Sequence, residues 1–167
     1  MIPMGTEKSP RQIILELPDP EMPWVTIGDL GILHSVESGP DRSVRVELIP
    51  TYLACPAIEA MRADVAKALD AAGYHVESVE LRHEPPWTPA SISEAGRRKL
   101  AEAGIAPPAH FVPPQQHLGS RVHLSLGVRC PNCGSTETSL LSRHGASPCQ
   151  ELRRCSTCAE PFPAVRS

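Results

Sequence analysis

The sequence predicts an α/β (α+β) chain, in which a first part mixing short strands with helices is followed by an all-β zinc ribbon. Three observations predict this. Val44, Val46 and Leu48 alternate with Arg45 and Glu47, the pattern of a half-buried strand. Ile58, Met61, Val65, Ala68 and Leu69 then recur at helical spacing, while Arg62, Asp64, Lys67 and Asp70 take the opposite face. Two CxxC pairs, 21 residues apart, follow a proline-rich stretch.

Arg11 to Leu17 places Ile13, Ile14 and Leu17 on one side of about two helical turns, which Pro18 and Pro20 stop. Asp19-Pro20-Glu21 reads as a turn holding two carboxylates close together. Two glycines around an aspartate in Gly28-Asp29-Leu30-Gly31 predict a tight bend at positive φ. Ile32 to Val36 and Val44 to Leu48 predict a hairpin across Gly39-Pro40-Asp41.

Thr51 to Cys55 joins the second of these strands to the helix. Pro56 suits the first helical position, where a missing N–H costs nothing, and this puts Cys55 at the N-cap. The amides of Ala57 and Ile58 would point at its sulfur, at the positive end of the helix dipole. A thiol so placed loses its proton more readily and can act as a nucleophile or soft-metal ligand. The plainer alternative is a small buried cysteine that fills space.

Gly73 caps this helix, and Ser78 to Arg82 predicts another strand with Val79 and Leu81 inward. After Pro85-Pro86-Trp87-Thr88-Pro89 a helix runs from Ser91 or Ser93 to Ala103, and its Arg97, Arg98 and Lys99 read as a solvated basic face. Four prolines at 107, 108, 113 and 114 mark a linker. The expected organisation is a domain over 10–105, a linker over 106–120 and a ribbon over 121–167.

Composition narrows the function. The 167 residues suffice for one domain and a small satellite. A net charge of −3 argues against a general nucleic-acid binder, although the ribbon segment 121–167 has 6 basic and 3 acidic residues. No apolar run approaches the roughly 18 residues of a membrane span, and no apolar core follows a basic start. A soluble, cytoplasmic protein with no membrane partner is expected. Six cysteines in such a chain suggest metal or thiol chemistry before disulfides.

Cys130-Pro131-Asn132-Cys133 and Cys155-Ser156-Thr157-Cys158 carry the strongest chemical signal. Each pair can form a metal-binding turn, and two turns brought together make a tetrahedral thiolate site. A segment this short with one phenylalanine cannot fold on burial alone, so the metal would supply folding energy. Structural zinc is the expected occupant. The same four ligands could hold iron or work as redox dithiols. Gly134 follows the first pair, as the turn prefers. Ala159 stands where glycine would be easier. Cys149 has no partner at metal-ligand spacing.

Taken in order, Asp19-Pro20-Glu21 with Pro23, Ile27-Gly28-Asp29-Leu30-Gly31-Ile32, Thr51-Tyr52-Leu53-Ala54-Cys55-Pro56, Trp87-Thr88-Pro89, Ile92-Ser93 and Gly96-Arg97 resemble the iron–sulfur assembly family that includes SufT. With the CxxC ribbon joined through Gly104-Ile105-Ala106-Pro107-Pro108, the chain resembles the PaaD branch, associated with phenylacetate degradation. The resemblance runs from about Ile13 to Phe162. It implies a small mixed sheet packed with helices and a reactive cysteine in a cleft. It further implies that the chain is no enzyme, but helps an iron–sulfur or iron centre into the phenylacetyl-CoA monooxygenase (1,2-epoxidase).

Cys55 would bind iron or a cluster transiently, supported by Asp19, Glu21, Asp29 and Thr51. Partners would be oxygenase or reductase subunits and the iron–sulfur assembly machinery, with a homodimer also allowed. The tail Pro163-Ala164-Val165-Arg166-Ser167 departs from the aromatic, basic tail with a further Cys or His expected of the branch. Two other functions compete. One is a cysteine-dependent enzyme with His34, His75 or His83 as base. The other is a zinc-ribbon adaptor that binds nucleic acid, for which the ribbon has almost no stacking surface.

Overall fold

The computed structural model describes residues 8–52, 57–108 and 127–166. Cys55 and Pro56, and with them the expected N-cap, lie outside the described residues, as does most of the expected linker. The chain divides into two compact units, Met1–Trp87 with Ser91–Gly96 and Thr88–Ala90 with Arg97–Ser167.

The first unit opens with helix α1 (Pro10–Leu15), shorter than expected at its C-terminal end. Its start is written in the sequence. Ser9 accepts from the Gln12 amide, the Gln12 side chain accepts from the Ser9 amide, and Pro10 takes a first-turn position, so a capping box sets the N-terminus. Ile14 is the residue it buries. The expected bend at 28–31 is instead one helical turn, α2 (Ile27–Leu30). Thr26 and Asp29 form a second capping box, and its hydrogen bonds outweigh the two flanking glycines. Gly31 alone takes positive φ, at 66°, as the C-cap.

Strands β1 (Leu33–Ser38) and β2 (Ser43–Leu48) form the expected antiparallel hairpin, with an irregularity between Leu33 and Ser35. Strand β3 (His75–Leu81) then pairs parallel to β2, giving a three-stranded mixed sheet of order β1-β2-β3. The parallel pair requires a crossover, which helix α3 (Ala57–Ala71) provides. Its Ile58, Met61, Val65 and Leu69 are buried, each contributing about 1.5–3 kcal/mol if fully removed from water. Gly73, at φ 78°, follows its end, and Arg42 donates to the carbonyls of Ala72 and Gly73 while lying over the Tyr74 ring. A cation at the negative end of the helix dipole stabilises that terminus.

Helix α4 (Glu94–Glu102) starts as expected, with the Ser93 hydroxyl accepting from the Gly96 amide. Gly104, at φ 74°, follows it. Its basic run is not uniformly solvated. Arg97 is half-buried and donates to the carbonyls of Pro89 and Pro108, and burial lowers its pKa.

The second unit holds an antiparallel sheet of β4 (Thr138–Ser142), β5 (Gln150–Cys155) and β6 (Pro161–Val165), in the order β4-β5-β6. Strand β6 starts before the atypical tail and runs into it through Val165. Pro161 and Pro163 alternate with Phe162 and Ala164, both buried. Proline is tolerated here because β6 is an edge strand of this sheet. Beyond it, Ala106 donates to Pro163 O and accepts from Val165 N, at 2.9 and 3.0 Å, so residue 106 is paired into the ribbon. No helix among the described residues is long and apolar enough to cross a membrane.

Candidate functional site

Two turns build the metal-ligand cluster. Gly134 N donates to Cys130 O at 2.9 Å, and Gly134 takes φ 74°, which closes the first turn after its CxxC pair. Ala159 takes φ 61° in the matching position of the second. Ser156 N donates to Glu137 O and Thr157 Oγ1 contacts Ser135 Oγ, both at 2.8 Å, so the turns are tied together. The Sγ atoms of Cys130, Cys133, Cys155 and Cys158 all lie within 4.8 Å of one another. Cys130 and Cys158 are 3.8 Å apart, and Cys133 and Cys155 are 3.5 Å apart. A tetrahedral zinc with bonds of about 2.3 Å places its sulfurs roughly 3.8 Å apart, so the donor set fits the metal in number, chemistry and spacing.

Without metal, Cys155 and Cys133 shift in opposite directions. The Cys158 amide, then that of Thr157, holds the Cys155 thiol down to about 6. The Ser135 amide pulls Cys133 down, but its contact with Cys155 and burial push it up to about 12. Cys155 ionises readily while Cys133 retains its proton, the behaviour of thiols crowded into one site. The apolar support is small. Ala106, Val128, Cys130, Cys155, Phe162 and Ala164 form the buried cluster, and two of the six are ligands.

In the first unit the site residues follow from the sheet. Because β2 and β3 are parallel, their carboxyl ends lie side by side, the usual place for a binding crevice in open α/β sheets. The chain leaves β2 there through Ile49, Pro50, Thr51 and Tyr52. These residues, with Arg82, His83, Pro86 and Trp87, line a recess of about 260 Å³. Thr51 is therefore at the recess, and Cys55 follows four residues later, outside the described residues. Sequence reasoning missed the lining contribution of Arg82, His83 and Trp87. Trp87 could have been found, since Trp87-Thr88-Pro89 stands among the motifs; its indole donates to Leu30 O at 2.8 Å and so links two of them. Of the three histidines considered as bases, His83 is the one that lines this recess.

The carboxylates of Asp19 and Asp29 have structural partners. Asp19 Oδ1 accepts from the amides of Glu21 and Met22, both at 2.8 Å, which shapes the turn. Burial raises the Asp19 pKa against those bonds, and the Glu21 charge adds to the rise. Asp29 Oδ2 accepts from Thr26 N at 3.0 Å and Oδ1 from the Ser93 hydroxyl at 3.3 Å. Asp29 O also accepts from Ser93 N at 2.9 Å. A Cβ on Gly96 would sit 2.5 Å from Asp29 O, and one on Gly31 would collide with the Ser91 carbonyl. Asp29, Gly31, Ser93 and Gly96 thus form one packed junction. Glu21 is half-buried in the turn that Asp19 shapes. Among the described residues, no His, Cys, Asp or Glu group of three or more other than the four cysteines gathers as a metal site.

Two families match the chain. Residues 11–81 match the iron–sulfur cluster assembly protein family, and residues 115–166 match the PaaD zinc beta ribbon domain. A relative from Escherichia coli (strain K12), named as a putative subunit of 1,2-phenylacetyl-CoA epoxidase, is 36% identical over 150 residues, covering 90% of this chain and 86% of that one. An Fe-S protein maturation auxiliary factor from Porphyromonas gingivalis (strain ATCC BAA-308 / W83) is 30% identical over 98 residues, covering 58% of this chain and 92% of that one. A Bacillus anthracis domain of unknown function, DUF59, superposes with a TM-score of 0.51 at 23% identity, covering 56% of this chain and 90% of that one, a likeness of fold.

Proposed function

This chain belongs to the PaaD family of SufT-like iron–sulfur assembly proteins, and from that premise we propose that it matures an iron–sulfur or iron centre of a phenylacetyl-CoA epoxidase. Family membership supports an accessory or maturation role rather than a catalytic one. The observation that carries the client assignment is the match to the Escherichia coli epoxidase relative, which extends over both the assembly region and the ribbon at 36% identity.

The chemistry divides between the units. In the ribbon, four thiolates with no open position make a closed site, so zinc there holds structure and does not turn over. Iron or a cluster is cargo, taken at Cys55, because soft thiolate ligands suit such metals. Thr51, which lines the recess at the strand ends, precedes Cys55 by four residues in the sequence. Asp19, Glu21 and Asp29 support the site from the turns around it, and direct contact of Asp19 or Asp29 with the cargo would have to displace the bonds described above. The assembly domain over 10–105 and the ribbon over 121–167 act in this scheme as separate modules of a cytoplasmic protein, joined by the segment 106–120, whose first residue is already paired to β6. Oxygenase or reductase subunits are the client, and the assembly machinery is the donor.

Protein purified without oxygen should contain one tightly bound zinc per chain. Cys130→Ser should lose it and unfold the ribbon. Emission from Trp24 and Trp87, the two tryptophans, both in the first unit, should stay native. A folded chain without zinc would sink the ribbon assignment. For the maturation role, cells lacking this chain should accumulate epoxidase polypeptides deficient in iron. Full iron content in those polypeptides would remove the proposed function.

A further inference from the structure

The ribbon core includes a residue from outside its cysteine turns and strands. Ala106 is fully buried in the cluster that contains Cys130 and Cys155. Its amide donates to Pro163 O, and its carbonyl accepts from Val165 N. The chain reaches this residue from α4 with no slack. Gly104 N donates to Ala101 O and Ile105 N to Leu100 O, both at 2.9 Å, the two bonds of a Schellman end. Leu100 and Ile105, the residues that such an end brings together, are buried. Arg97 reaches past Ala106 and donates to Pro108 O at 3.2 Å. Hydrogen bonds thus tie α4 to the chain on both sides of Ala106, and Arg97–Ser167 falls in one compact unit.

We propose that metal at the four cysteines controls the order of α4, so that the ribbon is a metal-responsive clamp and losing the metal releases the chain from Arg97 to Ala106. The inference rests on the ribbon's metal and not on the maturation role. Two of the six residues in the buried cluster are ligands, so loss of the metal takes the cluster apart. Pro163 and Val165 then no longer hold Ala106. Helix α4 has 9 residues, fewer than the roughly 12–15 at which an isolated helix becomes even marginally stable in water. Its last turns therefore do not stand without that hold. The start of α4 is secured separately, where the Ser93 hydroxyl accepts from the Gly96 amide. Contiguous segments of this kind are the units in which proteins open below their global stability.

Amide hydrogen exchange of the full chain, read residue by residue, tests this. The zinc-loaded protein should protect the amides of Ala103, Gly104, Ile105, Ala106 and Val165, each of which has a backbone acceptor. Zinc-stripped wild type and Cys130→Ser should both exchange at these positions near the rate of an unstructured chain, while Val65 and Leu69 in α3 stay protected. Returning zinc to the wild type should restore protection. Trypsin, which cuts unfolded chain after arginine and lysine, gives a second reading. Arg97, Arg98 and Lys99 should become cleavage sites in the metal-free protein alone, while the exposed Lys67 of α3 resists with and without metal. Protection at Ala103 to Ile105 that survives once Val165 has lost its own would overturn the proposal, because α4 would then stand without the ribbon. Loss of protection in α3 together with α4 would overturn it too, since the release would not be confined to this segment. A zinc-stripped chain still protected at Val165 would remove the ribbon's dependence on metal, and the proposal with it.

Discussion

Ala159 is one of three described non-glycine residues at positive φ, with Asp41 and Arg42. Its φ of 61° is a left-handed conformation that costs a non-glycine residue roughly 1–2 kcal/mol. The counterpart turn uses Gly134. Ala159→Gly should therefore stabilise the zinc-loaded ribbon by about 1 kcal/mol, read as resistance to a competing chelator; an unchanged or weaker ribbon would mean that the methyl group packs usefully. Asp19 gives a second test at this scale. Burial raises its pKa above the ordinary 3.8, so its charged form is the disfavoured one. The stability it contributes is fully present below the unfolded value and is lost as pH rises through the folded value. Asparagine would keep both amide bonds to Oδ1 without the charge. Asp19→Asn should match the wild type in acid and exceed it in stability at neutral pH, followed by tryptophan emission in urea. A variant that falls behind as pH rises would show that the carboxylate charge is favoured where it sits.

At the scale of elements, periodic patterns are legible in the sequence and closely packed junctions are not. The β1–β2 hairpin and α3 can be read from alternation and helical spacing, because each buries one face. The turn of α2 reads as a bend because Thr26 and Asp29 act together three residues apart, a signal that the conspicuous glycines mask. Strand β6 escapes a sequence reading because two prolines argue against it, and only its edge position reconciles them. The motif glycines are visible as motifs, but their reason, close approach of the 91–96 segment to α2, appears only in three dimensions. Gly31→Ala and Gly96→Ala should each destabilise the first unit by about 1–3 kcal/mol, measured by urea unfolding. Near-neutral values at both positions would mean that the junction yields easily.

For the whole molecule, the two chemical sites are unequally legible. The four ribbon cysteines announce themselves by spacing, and their sulfurs converge at metal-ligand distances. The roles of Asp19 and Asp29 cannot be read from their motifs, since a carboxylate that accepts backbone amides and one that awaits a metal look the same in sequence. The proposed cargo site rests on Cys55. In the N-cap position that Pro56 leads one to expect for Cys55, a serine also accepts amide hydrogen bonds, so Cys55→Ser should cost at most about 1 kcal/mol of stability. A hydroxyl cannot replace a thiolate toward iron. The most direct measurement is the iron content and activity of phenylacetyl-CoA epoxidase isolated from cells whose only copy of this chain is Cys55→Ser. The polypeptides should accumulate with little iron and little activity, while the variant itself stays folded and zinc-loaded. Normal iron content and normal growth on phenylacetate would contradict Cys55 as the cargo ligand.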